Sequence, residues 1–225
     1  MGRFFALLAV IFFAPLHVVI AALIFLHDGG PVFYRPKRLG KNGRPFAMFK
    51  YRSMRVGAAP IIDERFQTIV RPHDERVTSV GRMLRCGLDE VPQLLNVIRG
   101  EMAWIGPRPD ELWMLPYYGP TLRERLSVLP GISGLAQVSD SRNLRTEQAY
   151  ALDIWAVRHS TAALTMRIVV RTPLFLLGWR KAEHTLTNPE VLELEQACQL
   201  GCGTGLPACH SERQSDRPGG LSYQY

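Results

Sequence analysis

The longest apolar run of the chain lies near its start. Residues 4–26 are apolar apart from Pro15 and His17, and this run exceeds the about 20 residues that a helix needs to cross a bilayer. A cleaved signal peptide is disfavoured because Arg3 is the only basic residue before the run and no small-residue cleavage site follows it. We predict a membrane-anchoring helix over residues 1–28 with a kink at Pro15, since proline removes a backbone hydrogen bond. A spanning helix and a re-entrant helix both remain open.

Shorter elements follow the apolar run. Apolar residues at 32–34 and 46–51 flank the sequence Gly-Lys-Asn-Gly at 40–43, which predicts a small antiparallel hairpin. The pattern further predicts short helices over 78–85 and 121–128, a glycine-rich turn over 130–134, a helix over 147–168 and an apolar segment over 169–179. The last segment is too short to span a bilayer, so we predict that it is interfacial or buried.

One further amphipathic helix opens with two carboxylates. Asp89 occupies the position of a helix N-cap, Glu90 follows it, and Gly100 marks the helix end. The positions that would bury one face recur at helical spacing: Val91, Leu94, Leu95 and Ile98. A structural interpretation is available, because Asp is a common N-cap. The chemical alternative is a phosphate site that contains Mg²⁺, since carboxylates at a helix N-terminus would repel a phosphate unless a divalent cation bridged them.

The composition divides the chain into three parts. The segment 198–225 is rich in Gly, Ser and Pro with little apolar content, which is typical of disorder. It contains a loose group of possible metal ligands whose spacing matches no common zinc site: Cys198, Cys202, Cys209 and His210. We therefore predict an anchor over 1–28, a cytoplasmic domain over 29–183 and a disordered tail over 184–225. The predicted fold class is α+β, mostly helical, with interfacial helices beside the kinked membrane helix.

The charge indicates an anionic partner and an orientation. The net charge is +7, and residues 29–62 contain eight basic residues and no acidic one. Because basic segments beside a membrane helix stay in the cytoplasm, we place the domain on the cytoplasmic face. Arg35 and Arg38 are predicted to contact anionic lipid, and His17 is predicted to be a polar site within the membrane helix. The apolar N-terminus disfavours a nucleic-acid binder.

Five motifs in order resemble one protein family. They are Phe-Lys-Tyr-Arg-Ser-Met within 32–54, Val-Gly-Arg-Met-Leu-Arg at 80–85, Leu-Asp-Glu-Val-Pro-Gln-Leu at 88–94, Gly-Pro-Arg-Pro at 106–109 and Pro-Gly-Ile-Ser-Gly-Leu-Ala-Gln-Val at 130–138. Together they resemble the bacterial sugar transferases, the monotopic phosphoglycosyl transferases that initiate cell-surface glycan assembly. The resemblance covers about residues 4 to 180, and five ordered motifs are far more specific than any one of them.

The resemblance implies a reaction and roles for the acidic pair. A family member transfers a sugar 1-phosphate from a nucleotide diphosphate sugar to polyprenyl (undecaprenyl) phosphate and releases a nucleoside monophosphate. By resemblance, Asp89 is the nucleophile that forms a covalent phosphosugar intermediate, which divides one displacement into two. Glu90 would assist with a proton or share Mg²⁺ with Asp89, and the cation would neutralise the diphosphate.

Further site residues follow from the same motifs. The resemblance places substrate-phosphate contacts at Lys50, Arg85, Arg108, Arg142 and Asp153. Arg108 stands between two prolines, a frame that suits bidentate phosphate binding. The implied location is the inner (cytoplasmic) membrane of a bacterium.

One alternative comes from another class of function. The chain would then be a catalytically silent membrane-surface adaptor of a glycan-assembly complex. The intact Asp89, Glu90 and Arg108 argue against it, because a silent protein has no physical need for this charge cluster. The sequence leaves open the sugar, the glycan, contacts with downstream glycosyltransferases and a homodimer.

Overall fold

The structure, a computed structural model, describes residues 1–59, 61–62, 68–69, 73–139, 144–177 and 184–202. The described chain is α+β and mostly helical, as predicted. Its α-helices are α1 (Gly2–Phe12), α2 (Ala14–Asp28), α3 (Ser79–Leu84), α4 (Leu94–Arg99), α5 (Pro120–Arg123), α6 (Leu135–Val138), α7 (Thr146–Arg158), α8 (Ala162–Leu176) and α9 (Pro189–Cys202). Its 3₁₀ helices are Lys41–Gly43, Leu88–Gln93, Leu112–Tyr117, Glu124–Ser127 and His184–Thr187.

The strands are short and form four separate pairs. They are β1 (Phe33–Tyr34), β2 (Lys37–Leu39), β3 (Pro45–Ala47), β4 (Lys50–Tyr51), β5 (Ile61–Ile62), β6 (Thr68–Ile69), β7 (Ala103–Ile105) and β8 (Gly131–Ser133). The pairs β1–β4, β2–β3 and β5–β6 are antiparallel, and β7–β8 is parallel.

The apolar N-terminal run is bent, as predicted. The axes of α1 and α2 differ by 62°, and Pro15 lies in the first turn of α2, where a missing N–H costs no helical bond. Within the described ranges, neither helix alone is long and apolar enough to cross a membrane. The bent pair has the length and composition of a broken span or a re-entrant loop.

One face of each N-terminal helix packs on the domain. Ala6 of α1 is buried against Leu94 and Val97 of α4, and Ile24 of α2 is buried against Tyr51 and Val80. The opposite faces expose large apolar side chains: Phe4, Phe5, Leu8, Ile11, Phe12, Val18, Val19, Phe25 and Leu26. The N-terminal helix pair is therefore part of the core and also presents an apolar outer surface.

The predicted hairpin is confirmed, because β1 and β4 lie within the predicted segments 32–34 and 46–51 and pair with each other, and it contains a second, inner pair of strands. Its turn contains Asn42 in the left-handed region (φ 58°), and the strands beside the turn are β2 and β3. Strand β2, Lys37–Leu39, was missed because two of its three residues are basic. The outer pair β1–β4 brings Lys50 opposite Tyr34.

The turn predicted over 130–134 is wrong for its central residues. Gly131–Ser133 form a strand, β8, that pairs in parallel with β7, with Ala103 opposite Gly131. The backbones approach so closely that a Cβ on Gly131 would lie 2.1 Å from the amide nitrogen of Gly106. Glycine is required here for contact between backbones rather than for a turn.

The single helix predicted over 147–168 is also wrong. Helix α7 ends at Arg158 and a separate helix, α8, begins at Ala162. Thr161 caps α8, because its hydroxyl accepts a hydrogen bond from the amide of Leu164 at 3.2 Å. A threonine between two apolar periods was the missed signal.

The prediction of a disordered tail from 184 is wrong for 184–202. Helix α9 packs along α7, and the side chains of Val191, Leu194 and Cys198 are buried in the largest core cluster. These positions recur at helical spacing, which compensates for a composition that is otherwise polar. The remaining tail, 203–225, lies outside the described residues.

Candidate active site

The acidic pair lies in a tight turn directly before α4. Asp89 and Glu90 belong to the 3₁₀ helix Leu88–Gln93, whose N-cap is Gly87 (φ 115°), so the prediction of an N-cap at Asp89 is wrong. Pro92 lacks the N–H that an α-helical turn would need, and the turn closes with three-residue bonds such as Glu90 N–H to Gly87 O at 3.2 Å. The predicted end at Gly100 is confirmed, with φ 77°.

Glu90 is held between two cations from distant parts of the chain. Its Oε1 lies 2.6 Å from Lys50 Nζ of β4 and 2.8 Å from Arg108 Nη2. Burial disfavours the ionised form of Glu90, but Arg108 and Lys50 outweigh that effect and hold its pKa well below its usual range. Glu90 is therefore a weak base and a strong anchor for both cations.

Asp89 is the unengaged member of the pair. Among the described residues, no side chain or amide lies within hydrogen-bonding or ion-pair distance of its carboxylate. Burial raises the pKa of Asp89, while Lys50 opposes the rise and the adjacent Glu90 adds to it. A partly buried carboxylate with free oxygen lone pairs is available as a nucleophile or as a ligand.

The site carries more positive than negative charge. Two carboxylates, Asp89 and Glu90, face three cations. Besides Lys50 and Arg108, the third is Arg85, which lies close enough to Asp89 to oppose the rise in its pKa. The Nη1 atom of Arg85 is buried without a hydrogen-bond partner. Arg108 is about half exposed, with a side-chain exposure of 51%, whereas Lys50 is largely enclosed at 16%. The surplus positive charge suits an anionic ligand such as a diphosphate.

The pair fits Mg²⁺ through one of its members. Within the described ranges, no three His, Cys, Asp or Glu side chains are grouped as metal ligands. Mg²⁺ needs only one or two carboxylates when phosphate and water supply the other positions. The free oxygens of Asp89 meet that need, whereas the Oε1 atom of Glu90 already accepts from Lys50 and Arg108.

One of the predicted phosphate contacts lies elsewhere, and another falls outside the described residues. Arg142 lies outside the described residues. Asp153 is 3% exposed and pairs with the buried Arg125 at 2.9 Å, so it does not line the site. It lies behind the segment that carries Arg108, because Arg125 also donates to the carbonyl of Arg108 at 3.0 Å. Sequence alone could not distinguish a carboxylate in the site from one behind it.

The predicted membrane residues have contacts within the protein. His17 Nδ1 forms a hydrogen bond with the hydroxyl of Tyr51, next to Lys50 in β4. The guanidinium of Arg35 lies 4.7 Å from the ring centroid of Phe49. Arg38 pairs with Glu111 at 3.1 Å, so part of its charge is neutralised inside the protein and not by lipid.

Three residues behind the site were missed. Asp110, Tyr118 and Arg125 form a buried polar cluster under the segment 107–109. Arg125 follows Leu122 by three residues and shares its buried helical face, and a charged residue on an apolar face was the available signal.

Comparison with known proteins supports the resemblance to the bacterial sugar transferases. The family model for bacterial sugar transferases matches residues 1–178. An uncharacterized sugar transferase, EpsL, from Bacillus subtilis is 35% identical over 191 residues, covering 81% of this chain and 91% of its own length. The exopolysaccharide production protein ExoY from Rhizobium meliloti is 36% identical over 179 residues, covering 74% and 79%.

A longer relative has a more specific name. A UDP-glucose:undecaprenyl-phosphate glucose-1-phosphate transferase from Xanthomonas campestris is 37% identical over 191 residues, which cover 80% of this chain and 38% of that protein. The five motifs, the grouped charges and the family match over most of the chain agree. The chain belongs to the bacterial sugar transferase family.

Proposed function

We propose that the protein transfers a sugar 1-phosphate from a UDP-sugar to undecaprenyl phosphate, with release of UMP, as the initiating step of cell-surface polysaccharide assembly. The observation that carries this proposal is the free carboxylate of Asp89 beside the Lys50–Glu90–Arg108 ion cluster. Relatives from Xanthomonas campestris and Caulobacter vibrioides, the latter 39% identical over 178 residues, are named for this reaction with glucose.

The first step is a displacement at the phosphorus that carries the sugar. An oxygen of Asp89 forms a bond to this phosphorus, the bridging P–O bond breaks, and UMP leaves with the electron pair. Asp89 must be ionised for this attack, and its lack of hydrogen bonds leaves its lone pairs available. In the second step an oxygen of undecaprenyl phosphate attacks the same phosphorus, and Asp89 departs as a carboxylate.

The cations stabilise charge during both displacements. Lys50 and Arg108 are positioned to bind the diphosphate oxygens. The guanidinium of Arg108 donates to both carboxylate oxygens of Glu90, which is the kind of paired contact that it would also make with a phosphate. Glu90 fixes these cations rather than carrying a proton, since its low pKa makes it a poor base. Mg²⁺ held by Asp89 and phosphate oxygens would supply further neutralisation of the leaving group.

The same proposal places the protein at the cytoplasmic membrane surface. Both helices of the bent pair, α1 and α2, expose large apolar side chains. Helix α8 adds a second apolar stripe at helical spacing: Met166, Val169, Val170, Leu176 and Leu177. A membrane-bound site gives access to a polyprenyl acceptor that does not leave the bilayer.

The first test is UMP release by protein purified in nanodiscs. UDP-glucose, UDP-galactose and UDP-N-acetylgalactosamine are supplied in turn with undecaprenyl phosphate and Mg²⁺. Wild type should release UMP, Asp89→Asn should not, and Glu124→Gln should match wild type because Glu124 lies in an exposed pair with Arg158. Intact mass spectrometry without acceptor should show a sugar-phosphate adduct that is absent from Asp89→Asn.

Two outcomes would contradict the proposal. An adduct that persists in Asp89→Asn would assign the nucleophile to another residue. Folded wild-type protein that releases no UMP from any donor would favour the silent adaptor.

A further inference from the structure

Arg125 is a buried cation with an unusual number of partners. It lies in the 3₁₀ helix Glu124–Ser127, and its side chain is 3% exposed. Nη1 donates to the carboxylate of Asp110 and, at 2.6 Å, to the hydroxyl of Tyr118. Nε and Nη2 donate to Asp153 at 3.1 and 2.9 Å. The ring of Tyr150 lies 4.2 Å from the guanidinium carbon.

One more contact connects this cluster to the candidate active site. Nη2 of Arg125 donates to the backbone carbonyl of Arg108 at 3.0 Å. The guanidinium of Arg108 reaches Glu90 at 2.8 Å. The backbone of Arg108 is thus fixed from the interior, and its side chain is presented at the surface.

Stability alone is a weak explanation for this arrangement. Burying several charges costs the free energy of removing them from water, and well-packed apolar side chains of similar volume often stabilise a fold equally well or better. A buried ion cluster is therefore poor evidence for stabilisation. The cluster contains two carboxylates and one guanidinium, and it lies directly under a segment with prolines on both sides of Arg108. Its geometric effect is to fix one backbone carbonyl.

We infer that Arg125 is a positioning residue that acts through Arg108: it fixes the segment 107–109 so that the Arg108 guanidinium meets the substrate diphosphate. The inference rests on the proposed function for the identity of that ligand. A planar guanidinium is required, because only a fork can contact Asp153, Asp110 and the Arg108 carbonyl together. Lysine would keep the charge and lose most of these contacts.

A double-mutant cycle tests this inference without requiring turnover. The affinity for UDP is measured by calorimetry for wild type, Arg125→Lys, Arg108→Lys and the double variant. Each single change should weaken UDP binding about tenfold, and the double variant should bind within about twofold of Arg108→Lys, because the two residues act in series. Arg158→Lys is the matched control, since Arg158 pairs with Glu124 of the same 3₁₀ helix at the surface.

The results that overturn the inference are specific. Additive losses, about a hundredfold in the double variant, would show that Arg125 acts independently of Arg108. Unchanged UDP binding by folded Arg125→Lys would show that the cluster is structural only. If Arg125→Lys does not fold, Tyr118→Phe replaces it, because this variant removes one hydroxyl that contacts Arg125 and Asp110. It should weaken binding about threefold in wild type and not at all in Arg108→Lys.

Failure of the proposed function would be distinguishable. If Arg125→Lys loses UDP affinity but wild type releases no UMP, the positioning role of Arg125 is supported and the proposed reaction is contradicted. Normal UMP release by wild type with unchanged affinity in Arg125→Lys would keep the reaction and remove the positioning role.

Discussion

Lys50 and Arg108 bind the same carboxylate oxygen, Oε1 of Glu90, at 2.6 and 2.8 Å. Lys50 lies in β4, and Arg108 lies between Pro107 and Pro109, after β7. Two cations at this separation would repel each other without the shared carboxylate. Under the proposed function, the arrangement keeps the phosphate site assembled before substrate binds, which is how fixed charges lower a barrier without reorganisation.

Glu90→Gln should therefore separate binding from turnover. The variant keeps the shape of the side chain and removes the charge that fixes Lys50 and Arg108. We expect UDP affinity to change by less than about threefold, because the loss of a negative charge offsets the looser placement of the two cations, while UMP release falls about 100-fold through misplacement of the cations. Calorimetry and single-turnover kinetics measure the two quantities. Equal losses in affinity and turnover would contradict this role for Glu90.

Arg85→Met should move the acid limb of the pH–rate profile. Burial raises the pKa of Asp89, and Arg85 is one of the cations that oppose this rise. In the proposed mechanism Asp89 is the nucleophile and must be ionised, so activity should be lost as the pH falls through the pKa of Asp89. Removing Arg85 raises that pKa further, and the acid limb of kcat/KM shifts to higher pH.

The matched control for this profile is Arg82→Met, on the same helix but exposed. Its acid limb should coincide with that of wild type. An acid limb of Arg85→Met that coincides with that of wild type would show that Arg85 does not act on Asp89.

Asp153→Asn should change how stability depends on pH. Burial raises the pKa of Asp153 to about 6, although Arg125 opposes the rise. The folded state therefore keeps a proton that the unfolded state loses at lower pH, and this carboxyl destabilises the fold progressively as pH rises from about 4 to about 6. The advantage of wild type over Asp153→Asn in unfolding free energy should shrink by up to about 3 kcal/mol over that range.

Denaturant unfolding at pH 4, 5, 6 and 7 measures this difference. A wild-type advantage that grows with pH would mean that Asp153 is ionised throughout and stabilises the fold as a carboxylate.

Leu194→Ala should destabilise the protein, whereas Leu192→Ala should not. Leu194 is 4% exposed in the core between α7 and α9, and Leu192 is 46% exposed on the same helix. Deleting a buried leucine side chain costs about 2–5 kcal/mol, and surface changes stay within about 0.5 kcal/mol. Thermal unfolding of both variants compares them. Equal melting temperatures would contradict the packing of α9 on α7.

Val169 should lie against lipid when the protein is in a bilayer. Val169→Cys and, as control, Leu192→Cys are each made in a background with Cys86, Cys202 and Cys209 changed to Ser, because these are the cysteines of the sequence other than the buried Cys198. An environment-sensitive fluorophore at 169 should show a blue-shifted emission and be quenched by nitroxide lipids in nanodiscs, since exposed apolar helix faces favour the interface. The label at 192 should show neither effect. Aqueous emission at 169 would remove α8 from the membrane surface.

Local chemistry made several features predictable. Pro15 within an apolar run requires a break, and the helices α1 and α2 meet there. The turn at 40–43 and the helix end at Gly100 follow from the backbone freedom of Asn and Gly. The errors arose where local signals were ambiguous: Gly131 permits a turn, yet it permits close backbone contact equally well.

The polar composition of 184–202 concealed a packed helix. Only the spacing of Val191, Leu194 and Cys198 indicated a buried face, and the partner surface on α7 was absent from any local window. A polar composition predicts disorder because it offers too little apolar surface to bury. That prediction fails when a distant element supplies the surface on which a helix can pack.

The sequence by itself determined the bent apolar anchor, the acidic pair, the proline-framed Arg108 and the family, because each depends on residues that are neighbours in the chain. The tertiary structure decided which charges meet. Lys50 and Arg108 both reach Oε1 of Glu90, Asp89 has no hydrogen-bond partner among the described residues, and Arg125 contacts the carbonyl of Arg108 from the interior. These relationships depend on the packing of segments that are distant in the chain. Ion pairs are this strong only when the charged atoms lie within a few ångströms of each other, and the spacing of residues along the sequence does not specify such distances.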